Sequence, residues 1–342
     1  MRDHRPLRPW PARAIAWPAI LILALAALAA PGAAGLSADG TAVRIGTLPI
    51  ADSVALHVAQ RQGYFRARGL EVELIPFQSA MEKDAAALAG SIDGHFCEIG
   101  SVIVQRSLGL PFQVVAASSH TDKAKRNFGL VTRPGSQAKT LDDLRGASLA
   151  VARLYIVDFL TDAFLLSRNL PLDFFDRRDI KKIPVRYQML VSGQIEAALF
   201  PEPLLSMAER EGGTVVMDDT GLDMPLAVIA LRTTLGTEAI EATREALAQA
   251  VAWINQNPQP ARDLMAELRL IPPALGRDLV LPEFNPRLIP WALPSEDLFD
   301  SYVDWLARSQ ALAPRGSPTG GGLRTAPAYA DVVFQAPPPA DG

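Results

Sequence analysis

From Ala42 to Ala117, short apolar runs alternate with segments whose apolar positions return every three or four residues. Ala42–Ile50 (AVRIGTLPI) reads as a strand broken by Pro49. Val54, Ala55, Val58 and Ala59 make one face of a helix over 54–62, with Asp52 or Ser53 to cap it and Gly63 to end it. Residues 71–77 alternate, Glu71 and Glu73 against Val72 and Leu74, and predict a second strand. Ser79-Ala80-Met81-Glu82 is a capping box that opens a helix running to Gly90. Strands at 94–97 and 112–117 flank a helix at 101–108. Strands that alternate with helices over short loops imply a mostly parallel sheet with both faces covered.

After the polar crossing Ser118–Asn127 the same pattern resumes. Strands are expected at 128–132, 148–152, 183–185, 197–200 and 214–217, and helices at 140–146, 155–167, 187–191 and 203–211. Pro225–Arg232 (PLAVIALR) predicts a strand that returns to the first half. A long helix at 237–257 stops at Pro258 and Pro260, with helical pattern again at 261–270, an extended piece at 290–294 and a helix at 295–307. Trp253, Trp291 and Trp305 sit on apolar patterns and are expected in the core. From Ala313 the chain is rich in Pro and Gly and reads as a mobile tail over 313–342.

One stretch occurs twice. Gly90-Ser91-Ile92-Asp93-Gly94-His95-Phe96-Cys97-Glu98 and Gly193-Gln194-Ile195-Glu196-Ala197-Ala198-Leu199-Phe200-Pro201-Glu202 both follow an amphipathic helix. Both run Gly-x-Ile-acid, then an apolar strand, then a Glu. Two copies about a hundred residues apart suggest two lobes on one plan. In open α/β sheets ligands sit beyond the carboxyl ends of the strands. The exits near Cys97 and Glu202 are therefore expected on opposite walls of one cleft.

Composition narrows the setting. Of 342 residues, 49% are hydrophobic and 20% charged, with net charge −4, which does not suit a nucleic-acid partner. Arg2, Arg5, Arg8 and Arg13 precede the apolar run 14–30 and the small residues Gly32-Ala33-Ala34-Gly35. That order predicts a signal peptide over 1–35, cut near Ala34 or Gly35. Removing it takes the net charge from −4 to −7. Cys97 is the one cysteine, so no intrachain disulfide forms and stability must come from the core. An exported, soluble periplasmic protein is expected.

These residues resemble a family. Leu48-Pro49, Ala51-Asp52, Val58-Ala59, Gly63-Tyr64-Phe65 and Gly69-Leu70-Glu71-Val72-Glu73 look like the opening of the periplasmic substrate-binding proteins of ABC importers. The branch is the one with nitrate, sulfonate, taurine and thiamine-pyrimidine binders. Thr140-Leu141, Asp143-Leu144-Arg145-Gly146 and Leu149-Ala150-Val151 resemble the start of its second lobe. Leu190, Gly193–Ala198 and Glu202-Pro203 resemble its Glu-Pro segment. The resemblance covers roughly residues 43–310. It implies an α/β, two-lobed type II periplasmic binding protein fold, with mixed, mostly parallel sheets and a cleft between the lobes. Lobe I would be 42–120 with 225–312, and lobe II 124–220. It implies a small-molecule solute and a permease in the inner membrane as partners; a monomer is expected, with no cofactor.

Candidate ligand-binding residues are the strand ends facing that cleft. Asp52, Ser53 and Ser79 stand at helix N-termini, where free N–H groups suit an anion; the plainer reading is that the serines only cap. His95 and Cys97 end the third strand; His57 and His120 lack the spacing to complete a metal site with them, so no metal is expected. Ser118 lies where the chain crosses between lobes. Arg153 suits an acidic group and Tyr155 a ring; the alternative is a solvated Arg and a packed Tyr. Glu202 suits an amino group, a hinge brace or a permease contact.

No G-x-S-x-G, H-E-x-x-H or P-loop is present, so binding rather than catalysis is expected. The ligand is left between a sulfonate-like anion and a thiamine-type pyrimidine. The other classes are an exported sensor and a pyrimidine-related enzyme that consumes its own histidine.

Overall fold

A computed structural model describes residues 42–271, 293–314 and 324–335. The predicted signal peptide and Trp291 lie outside them.

Two five-stranded sheets organise the chain. The first contains β1 (Val43–Thr47), β2 (Val72–Pro76), β3 (Gly94–Cys97), β4 (Phe112–His120) and β10 (Pro225–Arg232), in the order β2-β1-β3-β10-β4. The second contains β5 (Phe128–Thr132), β6 (Ser148–Val151), β7 (Asp176–Asp179), β8 (Ala197–Pro201) and β9 (Val215–Asp218), in the order β7-β6-β8-β5-β9. Each sheet has one reversed strand, second from an edge: β10 runs antiparallel to β3 and β4, and β5 antiparallel to β8 and β9. The reversed strand is in each case the one that arrives from the other sheet. The chain thus crosses between the sheets after β4 and again after β9.

The sequence repeat marks equivalent central strands, β3 and β8, and the Gly, Ile and acid that its two copies share each have a structural task. Helix α2 (Ala80–Leu88) precedes β3 and helix α5 (Ile183–Val191) precedes β8. Gly90 and Gly193 turn the chain out of these helices at φ +73° and +77°, a left-handed backbone that glycine adopts without strain. Ile92 and Ile195 are buried. The acid that follows clasps an arginine of a neighbouring segment. Asp93 Oδ2 accepts from Arg44 Nε at 3.0 Å, and Glu196 Oε2 from Arg133 Nε at 2.7 Å. Gly94 has its own reason: a Cβ there would lie 2.3 Å from Leu231 and 2.9 Å from the Ala230 carbonyl, where β10 pairs with β3.

The helices cover the sheets. They include α1 (Val54–Arg61), α3 (Ile99–Ser107), α4 (Ile156–Ser167), α6 (Leu204–Arg210), α7 (Thr237–Gln256), α8 (Pro258–Glu267) and α9 (Glu296–Arg308). Helix α4 meets α9 through a Phe159–Tyr302 stack at 3.8 Å, and Trp305 Nε1 donates to Asp162 at 3.1 Å. Trp253 and Trp305 pack into apolar clusters. Among the described residues no helix is long and apolar enough to cross a membrane.

Several local expectations need correcting. Residues 183–185 are the first turn of α5, with Pro184 tolerated there because its missing N–H has no helical partner to lose. The strand is instead Asp176–Asp179, which pairs with β6 at the sheet edge. Pro258 opens α8 rather than only ending α7. Ser53 does not cap α1; its hydroxyl turns inward and donates to the carbonyls of Leu48 and Ile50. Part of the expected tail is docked: α10 (Tyr329–Val332) leads to Val333, which bridges Val114, and Val332 and Val333 are fully buried.

Candidate ligand cleft

The carboxyl ends of the parallel strands and the starts of the two reversed strands meet around one cavity. Leu48 and Asp52 follow β1, Cys97 and Glu98 close β3, and Leu226 and Ala227 begin β10. From the second sheet come Phe128 at the start of β5, Ala152 after β6 and Pro201 at the end of β8. Tyr155, Ile156, Lys181, Ile183 and Arg186 add to the lining, as do Ile50 and Phe96. The cavity measures about 60 Å³, enough for a few waters.

The first-sheet wall carries a buried polar network. Lys83, fully buried in α2, places Nζ 2.5 Å from Asp84 Oδ1 and 2.7 Å from His95 Nδ1. An ammonium has only donors, so His95 Nδ1 accepts and its proton sits on Nε2, which donates to Gln105 Oε1 at 3.0 Å. Burial and then the Lys83 charge hold His95 well below its ordinary range, neutral. Ser101 Oγ lies 2.8 Å from Glu98 Oε1 and 3.1 Å from Asp84 Oδ2. Burial, followed by the Asp84 charge, pushes Glu98 up to about 7, against the pull of Lys83 and the Ser101 hydroxyl. Burial alone accounts for the rise of Asp52 to about 6. The Cys97 thiol is likewise pushed well up by burial, which removes nucleophilic character.

The second-sheet wall is different. Arg186 is only 2% exposed and lines the cavity. Its Nη1 donates to the Ile180 carbonyl at 3.1 Å, and its guanidinium lies 5.3 Å from the Phe200 ring centre. Its Nε has no hydrogen-bond partner, and among the described residues no carboxylate is at salt-bridge distance. Burial lowers it to about 10, with the Asp179 charge opposing. Lys181 is committed elsewhere, 2.7 Å from the Arg153 carbonyl and 3.1 Å from Asp179, with Nζ 5.2 Å from the Tyr155 ring centre. Burial, and then the charges of Asp84 and Glu98 on the opposite wall, raise the Tyr155 phenol. Lys182 and Glu82 also pair across the cleft, at 3.3 Å.

Of the candidates read from sequence, Asp52, Cys97 and Tyr155 line this cavity. The others lie behind or beside it. Ser53 is turned into its own loop, Ser79 caps α2 by accepting from the Glu82 N–H, and His95 is sealed between Lys83 and Gln105. Ser118 donates to the Asp52 carbonyl at 2.8 Å and so steadies a lining residue. Arg153 is exposed, and its backbone serves Asp179 and Lys181. Glu202 accepts from Arg126 Nε at 2.9 Å and from the Ser206 N–H at 3.1 Å, bracing the start of α6. Sequence reasoning missed Arg186 and the role of Glu98. Among the described residues no group of three or more His, Cys, Asp or Glu is placed to hold a metal ion.

A family model described as "NMT1/THI5 like" matches residues 51–261, which include most of this lining. The chain belongs to the NMT1/THI5-like family. A Haemophilus influenzae protein with the provisional name thiamine biosynthesis protein is 26% identical to this NMT1/THI5-like chain over 221 residues, 61% of the chain and 67% of that protein. Two solved structures share its fold. The alkanesulfonate-binding protein SsuA from Xanthomonas axonopodis pv. citri, bound to MOPS, matches with a TM-score of 0.66 at 16% identity, over 82% of this chain and 96% of that one. The periplasmic aliphatic sulphonate-binding protein SsuA from Escherichia coli matches with a TM-score of 0.65 at 17% identity, over 80% and 94%. The NMT1/THI5-like chain therefore has the two-sheet α/β fold of periplasmic ligand-binding proteins, as its opening motifs implied.

Proposed function

We propose that this protein is the solute-binding component of an ABC importer, acting in the periplasm, and that the cavity between its two sheets takes a small polar organic molecule. The observation that carries this reading is the convergence of strand ends from both sheets on one cavity with both polar and apolar walls. In this reading residues 42–120 and 225–312 form one lobe and 124–220 the other. The cavity of about 60 Å³ lies far below the ~300 Å³ at which small-molecule sites usually begin. A solute enters when the walls part, and their closing is what the permease reads. The protein works as a monomer, its signal peptide removed near Ala34 or Gly35.

Binding rather than catalysis is supported by the state of the reactive side chains. A mechanism that consumes a histidine needs one open to the cavity, and His95 is fully enclosed by its own network. The test is thermal unfolding of the mature protein against sulfonates, nitrate, dicarboxylates and aminopyrimidines. A solute that binds only the folded state adds about 2.7 kcal/mol at a hundred times its Kd. A raised midpoint with one class supports the reading; no response across the panel counts against it.

A further inference from the structure

We propose that Arg186 is the anchor for an anionic group of the solute, and that the solute is therefore an organic anion with an apolar body. The inference rests on the solute-binding reading above and narrows it to a substrate class.

Among the described residues Arg186 has no carboxylate at salt-bridge distance, and Asp179 acts on it only from further away. A guanidinium offers five N–H donors in a rigid fork suited to carboxylate, sulfonate or phosphate. Only one hydrogen bond, from Nη1 to Ile180, engages them among the described residues, and Nε is buried without a partner. Burying a charge without pairing it is costly, so an arginine in this position signals an opposite charge that arrives from outside. The other arginines in the network regions differ: Arg44, Arg126, Arg133 and Arg177 each hold a carboxylate.

The surroundings agree. Helices α3, α4 and α5, of nine, twelve and nine residues, all start at the cavity without a side-chain cap. Their first-turn N–H groups and dipoles add positive potential there. Burial raises both acidic groups of the lining, Asp52 to about 6 and Glu98 to about 7, which lessens the negative charge they set against it. The rest of the lining is apolar, with Leu48, Ile50, Phe96, Phe128, Ile156 and Leu226 among its members. A bare inorganic anion would leave these walls without a partner. An anion carrying a ring or a short alkyl chain satisfies both features.

The test compares two probes of one shape, benzenesulfonate and the neutral benzenesulfonamide, at equal ionic strength, by thermal unfolding and calorimetric titration. The wild type is expected to bind the sulfonate about tenfold more tightly than the sulfonamide, the scale of a charged hydrogen-bonded pair. Arg186→Gln should remove that preference, and Arg186→Lys should keep part of it. The apo Arg186→Gln protein should melt at or above the wild type, because it sheds an unpaired buried charge. Equal or better binding of the sulfonamide, or a preference that survives Arg186→Gln, would overturn the proposal. A fall of several degrees in the apo midpoint of Arg186→Gln would also overturn it and make the residue structural. If neither probe binds but a neutral aminopyrimidine does, the anchor is wrong and the receptor reading stands. If nothing binds, both fail.

Discussion

The two walls of the cleft solve opposite problems with similar residues. On the first, Lys83 is fully buried and held by a carboxylate, with Asp84 at 2.5 Å and His95 at 2.7 Å. On the second, Arg186 is almost equally buried and holds one carbonyl. The first is a closed network whose every member supports the next, and such networks fix a single geometry. The second keeps donor capacity in reserve. A buried cation is structural where a carboxylate of the fold holds it; where none does, it waits for something else. The difference lies in what surrounds the charge, not in burial or residue type.

The comparison breaks most sharply at Lys83. Lys83→Met leaves Asp84 and His95 facing an apolar side chain, and the expected loss is about 3 kcal/mol, the lower end for removing one partner of a buried pair because Asp84 is partly exposed. Denaturant unfolding measures it. A loss under ~1 kcal/mol would mean the network is not what holds this wall.

Glu98 sharpens the comparison through pH. Its folded pKa of about 7 lies above the ordinary 4.5, so the folded state binds its proton more tightly than the unfolded state. The stabilisation is complete below pH 4.5 and is lost as pH rises through 7, by roughly 3 kcal/mol in all. His95 acts in the opposite sense, since its lowered pKa costs stability as the unfolded chain protonates below 6.5. The clean readout is therefore the difference between wild type and Glu98→Gln, which should widen in favour of the variant from pH 5 to pH 7. A difference that stays flat would place the Glu98 carboxyl in an ordinary environment.

Smaller effects test the supports. Ser118→Ala removes the bond to the Asp52 carbonyl and should cost about 1 kcal/mol, read by the same denaturant titration. Lys182→Ala breaks the exposed pair with Glu82 across the cleft and should change apo stability by no more than about 0.3 kcal/mol. A larger loss would show that this pair holds the walls together without a solute.

Much of the architecture was readable because the signals were periodic. The strand of residues 71–77 and the capping box at Ser79 follow from local chemistry and appear where expected. The repeat identified β3 and β8 as counterparts. What failed to show was non-local. Asp176–Asp179 (DRRD) has no apolar face, because as an edge strand it needs none. Ile183-Pro184-Val185 looked like a strand because β-branched residues fit both states and only tertiary packing decides. The repeat ends in a Glu in both copies, yet Glu98 lines the cavity while Glu202 turns to Arg126. Arg186 sits in a helix where the sequence offers only a polar position among apolar ones. Its meaning depends on having no carboxylate at salt-bridge distance among the described residues, and no spacing along a chain records that.

The docked tail has a consequence for how the molecule behaves in a crowd. Strand β4 is the edge of its sheet, and its residues Val114 to Ala117 are fully buried only because other parts of the chain lie on them. Val333 bridges Val114, the Phe334 N–H donates to the Val114 carbonyl at 2.9 Å, and Gln113 donates to the Ala330 carbonyl. An apolar sheet edge with free backbone groups is a template for another chain. A protein cut short before Ala326 would bare the Val114 carbonyl and the Gln113 side chain at that edge, and is expected to self-associate more than the full chain, as sedimentation would show.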